Sequence, residues 1–185
     1  MGTIKGMSIH QFSLAYQADQ DRLLLRVRTH DEEIFELWLT RRMMMRLWQP
    51  LMNTVTTASL NTVSRSATIM PEARDMMTQT LRESAHQKAD FDSPFDGNAR
   101  VRPLGDQPML VAAVDLKHLS SGQVEVVLRD ATGRSLCLSL SPDLLNNLVS
   151  LLEKALIQSE WGLLAPRSTG LAAPGEGTPP ARILN

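Results

Sequence analysis

Apolar and polar residues alternate along the early part of the chain. FSLAYQ (12–17), RLLLRVRT (22–29) and EIFELWLT (33–40) each carry an apolar residue at every second position. A period of two places successive side chains on opposite faces of an extended strand. It puts Leu23, Leu25 and Val27 on one face of the second stretch, and Phe35, Leu37 and Leu39 on one face of the third. The THDEE connection is short and polar, as a hairpin requires. Residues 12–40 therefore predict an antiparallel meander.

The period then changes to that of a helix. Met44, Leu47, Trp48, Leu51 and Val55 form an apolar stripe, with Arg42, Arg46, Gln49 and Asn53 opposite. Thr40 is suited to cap this helix, because its hydroxyl can accept from a free amide of the first turn. Pro50 sits inside it, where the missing N–H and the ring predict a kink.

The same order returns 101 residues later. PMLVAAVDLKHL (108–119) predicts a strand, turned back by SSGQ. QVEVVLRD (123–130) and SLCLSLS (135–141) alternate, with Val124, Val126, Leu128, Leu136, Leu138 and Leu140 facing one way. Ser141, Pro142 and Asp143 are an N-cap, a first-turn proline and an acid at the positive end of a helix. Leu145, Leu148, Val149, Leu152 and Leu156 continue it as a stripe. Leu37 and Leu39 correspond to Leu138 and Leu140, Thr40 to Ser141, and the two stripes align without a gap.

The fold expected is thus α+β: a tandem repeat of antiparallel β-meander followed by an α-helix, with a helical insert between the repeats. The units span 8–63 and 108–161. Between them, 64–107 holds a helix from Pro71 to about Ala89 and then a loop in which ARVRPL could add a short strand. Residues 162–185, rich in Gly, Pro and Ala, are expected to form a flexible tail.

Composition narrows the chemistry. The chain has 185 residues, 43% of them hydrophobic, enough for a core. Its net charge of −1 gives no global attraction to nucleic acid or acidic membranes. The one thiol, Cys137, excludes an intramolecular disulfide and suits a reducing cytoplasm. MGTIKGMSIH has no apolar core of a signal peptide, and Gly6 breaks the myristoylation pattern. No apolar run approaches the ~18 residues of a membrane-spanning helix.

Catalytic and ligand-binding signatures are missing. His10, His30, His86 and His118 have no metal-ligand spacing. In DFDSPFDG, Asp90, Asp92 and Asp96 mimic a calcium loop, but Gly97 falls too late for its turn. No Gly-rich loop joins a strand to a helix, so no nucleotide cofactor is expected. Cys137 alternates with Leu136 and Leu138 and has no histidine nearby in sequence, which suits a packed strand residue. The expectation is a protein that is not an enzyme and carries neither cofactor nor metal.

The remaining signal lies opposite the predicted core face. There Arg22, Leu24, Arg26 and Arg28 share a surface with Ile34, Glu36 and Trp38. Arginines for phosphates and an indole for stacking are the equipment of single-strand binding. Arg22, Arg26, Arg28 and Trp38 are the candidate site. Over 22–46, six arginines meet four acids, an excess of two. The corresponding face of the second unit, with Gln123, Glu125, Val127, Arg129, Cys137 and Ser139, is not basic. The apolar members of the face support a second expectation, a homodimeric interaction module using the same surface.

A tandem of meander plus helix with one open sheet face resembles the PUR-domain and whirly-type single-stranded nucleic-acid-binding proteins. The resemblance covers roughly residues 10–160 and is architectural; no motif matches residue for residue. Those families have four strands per unit where the pattern here gives three, and the helical insert departs from them. The resemblance implies binding of single-stranded DNA or RNA, often as a dimer.

Overall fold

The alternating stretches become two antiparallel meanders, each running into a helix. The computed structural model describes residues 3–4, 7–63, 95–98 and 100–164. In the first meander β2 (Ile9–Gln17), β3 (Arg22–Thr29) and β4 (Ile34–Thr40) pair in sequence and lead into α1 (Arg41–Val63). In the second, β6 (Ala113–His118), β7 (Val124–Arg129) and β8 (Ser135–Leu140) do the same and lead into α2 (Pro142–Ser159). The protein is α+β, with two sheets and two helices among the described residues.

Each sheet has a fourth strand drawn from a distant part of the chain. β5 (Met109–Leu110) pairs parallel with β4, and β1 (Thr3–Ile4) pairs parallel with β8. The sheet orders are therefore β2-β3-β4-β5 and β1-β8-β7-β6. The stretch 108–119, expected as one strand, is divided between the sheets. Val111 N–H donates to Trp38 O at 3.0 Å, and the next amide, Ala112 N–H, donates to Arg129 O at 2.7 Å. The chain leaves one ladder and enters the other within two residues. The strand expected in ARVRPL is a single parallel bridge between Val101 and Glu33. The expected helix at 71–89 and the tail from residue 165 onward lie outside the described residues.

The helices also cross over. α2 follows the second meander but packs chiefly on β2 of the first, while α1 packs on β6 and β4. The strand faces predicted to point inward are buried, and with Met44, Leu51, Val55 and the Leu145–Leu156 stripe they form one core shared by both sheets. Leu47 and Trp48 lie partly buried at its margin. Burying one such leucine contributes about 1.5–3 kcal/mol, so a shared core links the two sheets energetically.

Local chemistry fixes the helix starts. Met43 N–H donates to Thr40 Oγ1 at 3.2 Å, and Leu144 N–H donates to Ser141 Oγ at 3.3 Å. α1 runs without interruption through Pro50. The hairpin turns place a residue in the left-handed region: Asp21 (φ 48°), Glu32 (φ 60°), Gly122 (φ 85°) and Gly133 (φ 89°). In the turns at Glu32, Gly122 and Gly133, two backbone hydrogen bonds close the loop, as in Thr29 N–H to Glu33 O and Glu32 N–H to Thr29 O.

Candidate functional site

The registers lay out the outward face of the first sheet in rows. Arg22 pairs with Gln17 and Thr40; Leu24 lies between Ala15 and Trp38, and Trp38 pairs with Leu110. Arg26 lies between Ser13 and Glu36, and Arg28 between Gln11 and Ile34. The four predicted residues therefore share one face, but their surroundings differ.

Arg26 and Arg28 are engaged. Arg26 Nε lies 3.0 Å from Glu36 Oε1, and Arg102 Nη1 lies 2.7 Å from Glu36 Oε2. One carboxylate thus holds two guanidinium groups. Arg28 forms an ion pair with Asp96, and its side chain is only 12% exposed. The Asn98 N–H and the Arg28 guanidinium hold the Asp96 carboxyl below the usual carboxylate range. The Phe95 ring sits 5.9 Å from the Arg26 guanidinium carbon, within reach of a cation–π contact.

Residues 95–98 and 100–102 thus lie across one end of the face. They are fastened to the sheet by Arg100 N–H to Glu32 O at 2.9 Å and Ile34 N–H to Val101 O at 3.1 Å. The expectation of a bare face does not hold: at that end Ile34 is 2% exposed, and Leu24, in the Trp38 row, is 7% exposed. Cys137 and Ser135, on the outward side of β8, are buried too.

The other end of the face is partly accessible. Arg22 is half-buried and makes no ion pair among the described residues. Trp38 is half-buried between Leu24 and Leu110, and Leu110 is 46% exposed. Ala15, Leu24, Trp38 and Leu110 make an apolar strip across all four strands. Arg22 flanks it on one side and the Arg26–Glu36–Arg102 cluster on the other.

Beyond Leu110 and Thr40 opens a cleft of about 480 Å³ between the start of α1 and the β7–β8 turn. Arg42 and Arg46, both exposed, line it with Arg134 and Asp130. α1 contains three arginines and no acid, whereas the turn is neutralised internally. Burial pushes the Asp130 carboxyl up, but hydrogen bonds from the Arg134 side chain, the Thr132 hydroxyl and both residues' amides outweigh it and bring its pKa to about 2. Arg134 Nε donates to Asp130 Oδ2 at 2.7 Å. Among the described residues, Arg22 and the α1 arginines Arg41, Arg42 and Arg46 make no ion pair, and Arg42 and Arg46 line the cleft.

No protein-family model matches the chain, and no curated protein or solved structure is significantly similar to it. The site must be read from its own chemistry. Among the described residues, no cluster of three metal-ligating side chains occurs and no helix is long and apolar enough to cross a membrane.

Sequence reasoning found the Arg/Trp face but missed Phe95, Asp96, Arg102 and Leu110, which complete or cover it. Cross-strand pairing of Arg26 with Glu36 follows from the hairpin. Arg28 and Asp96 stand 68 residues apart, and no local pattern joins them.

Proposed function

We propose that the protein is a non-enzymatic binding protein that holds a single strand of DNA or RNA on the outward face of its first sheet. Trp38 is the stacking platform. Arg22, Arg42 and Arg46 meet the phosphates, while Arg26 serves as a braced flank rather than a free cation. The observation that carries this reading is the position of Trp38. It lies half-buried within an apolar strip, an arginine without an ion pair among the described residues stands in the adjacent row, and a cleft bearing two exposed arginines begins beside its neighbour Leu110. Stacking on an accessible aromatic beside backbone-tracking cations suits single strands of any sequence.

We also read the chain as two copies of one meander–helix unit at an offset of 101 residues. The left-handed turn residues support it, since Asp21 and Glu32 stand 101 positions before Gly122 and Gly133. The capping residues Thr40 and Ser141 keep the same offset. With β1 and β5, each sheet has four strands, the number per unit in the PUR-domain and whirly-type proteins. This arrangement supports the resemblance and, through it, the single-strand reading.

The test is fluorescence anisotropy of a labelled single-stranded oligonucleotide across a salt series. Binding should weaken with salt, with a slope of about 0.7 per phosphate neutralised. Trp38→Ala should cost about 1–3 kcal/mol, the worth of one stacked base. Absence of binding at low salt refutes the proposal.

A further inference from the structure

β6 is the last strand of its sheet, and among the described residues no strand pairs with its outer edge. Leu119 N–H donates to Gln123 O at 2.9 Å, which fixes the phase of the ladder. Hydrogen-bonded positions recur every second residue in an antiparallel pair, so Lys117, Asp115 and Ala113 also bond inward to β7. Val114, Leu116 and His118 consequently direct their N–H and C=O groups to the open edge. An unpaired row of this kind is a template for another strand.

The side chains say which strand. Two copies of β6 placed antiparallel about Leu116 bring Leu116 opposite Leu116, Val114 opposite His118 and Asp115 opposite Lys117. The edge-directed residues then fall in hydrogen-bonded pairs, and both copies satisfy the same row. Asp115 and Lys117 point to the outer face and are exposed, so each contact across the twofold axis joins an acid to a base. Glu125 lies beside Lys117 on β7, and Arg129 forms an ion pair with Asp115. The charges across the joined sheets therefore alternate in sign.

The inner side has room for the apolar half. A groove of about 540 Å³ runs between β6 and α1, bordered by Ala112–Leu116 and, on α1, by Met43, Leu47 and Pro50 together with Arg46 and Thr54. Val114 and Leu116 of a partner strand would enter it and meet Met43, Leu47 and Pro50.

We infer that the protein forms a homodimer by antiparallel β6–β6 pairing, which joins two copies of its second sheet into one continuous sheet. The β6 edge differs from the Trp38 strip, although Arg46 borders both the groove and the cleft beside Leu110. The dimer presents two Trp38 strips, and its self-association is measured without nucleic acid, so the inference stands or falls independently of that reading. It gives an expected second copy a place other than the outward face of the first sheet.

The experiment is analytical ultracentrifugation of the purified full chain at several concentrations, with variants checked by circular dichroism. Wild-type protein should dimerise. Lys117→Asp alone sets an acid against Asp115 at both contacts across the axis. Asp115→Lys alone sets a base against Lys117 at both. Each should weaken self-association at least about tenfold. Mixing the two variants should restore dimers, because each contact across the axis then joins an acid of one copy to a base of the other. In the wild type, the Leu116 and His118 amides should exchange more slowly with deuterium as protein concentration rises. A monomer at every concentration, a dimer indifferent to both variants, or variants that fail to pair on mixing would each overturn the inference.

Discussion

The indole N–H of Trp161 donates to Asp21 Oδ1 at 2.6 Å, joining residues 140 positions apart. Trp161 lies just beyond α2, and Asp21 sits at the turn between β2 and β3. The Tyr16 hydroxyl donates to the same oxygen at 2.9 Å, and the Tyr16 and Trp161 rings meet edge to face. The end of the last helix is therefore bound to the first hairpin. The indole and then the phenol hold the Asp21 carboxyl below its ordinary range.

A carboxylate depressed in the folded state stabilises the fold above its unfolded pKa, near ~4, and loses that contribution as pH falls through the lower folded value. Asp21→Asn should lower the thermal midpoint at neutral pH and reduce the loss of stability on acidification. Thermal denaturation followed by circular dichroism from neutral to strongly acidic pH measures both. An unchanged midpoint with an unchanged acid dependence would show that the contact carries no stability.

The turns give a pair of opposite outcomes. Glu32 occupies a left-handed conformation (φ 60°) that costs an L-residue about 1–2 kcal/mol. Glu32→Gly should therefore be neutral to stabilising by about 1 kcal/mol. At Gly122 (φ 85°) the conformation already suits glycine, and Gly122→Ala should destabilise by roughly 1–2 kcal/mol. Urea unfolding of both variants reads the two signs.

Leu145 is fully buried in the core that the sheets share. Leu145→Ala should cost about 2–5 kcal/mol. Because one core serves both sheets, the loss should appear as a single cooperative transition by tryptophan fluorescence and by circular dichroism alike. Separate transitions would mean that the meanders unfold independently.

Within the outward face, the arginines should not act equally. Arg26 is tied to Glu36 and Arg28 to Asp96, whereas Arg22 has no such partner among the described residues. Arg22→Glu should weaken single-strand binding more than Arg26→Ala does, and it should flatten the salt dependence by about one phosphate contact. Titrations of both variants at low salt compare them directly.

The meanders, the helix caps and the helix stripes were legible in the sequence because each rests on local periodicity. Leu23, Leu25 and Val27 announce a buried face by spacing alone, and Ser141–Pro142–Asp143 announces a helix start by type. β1 and β5 were not legible, since two residues have no period and their partners lie far along the chain. The switch of ladder between Val111 and Ala112 is hidden inside one apolar run. At the site, the face shared by Arg22, Arg26, Arg28 and Trp38 followed from alternation. Its partial cover by Phe95 and Asp96, and the placing of Leu110 beside Trp38, depend on long-range pairing that spacing does not encode.

The most direct measurement is the anisotropy of a fluorescein-labelled oligothymidylate of about 15 nucleotides, near the upper site size of a single binding domain. It is titrated at low salt with wild-type protein, Trp38→Ala and Arg22→Glu. Single-strand binding on the Trp38 face requires salt-sensitive binding by the wild type and weakening of about tenfold or more in Trp38→Ala, within the range of one lost stacking contact. No binding by the wild type, or equal binding by all three proteins, would contradict it.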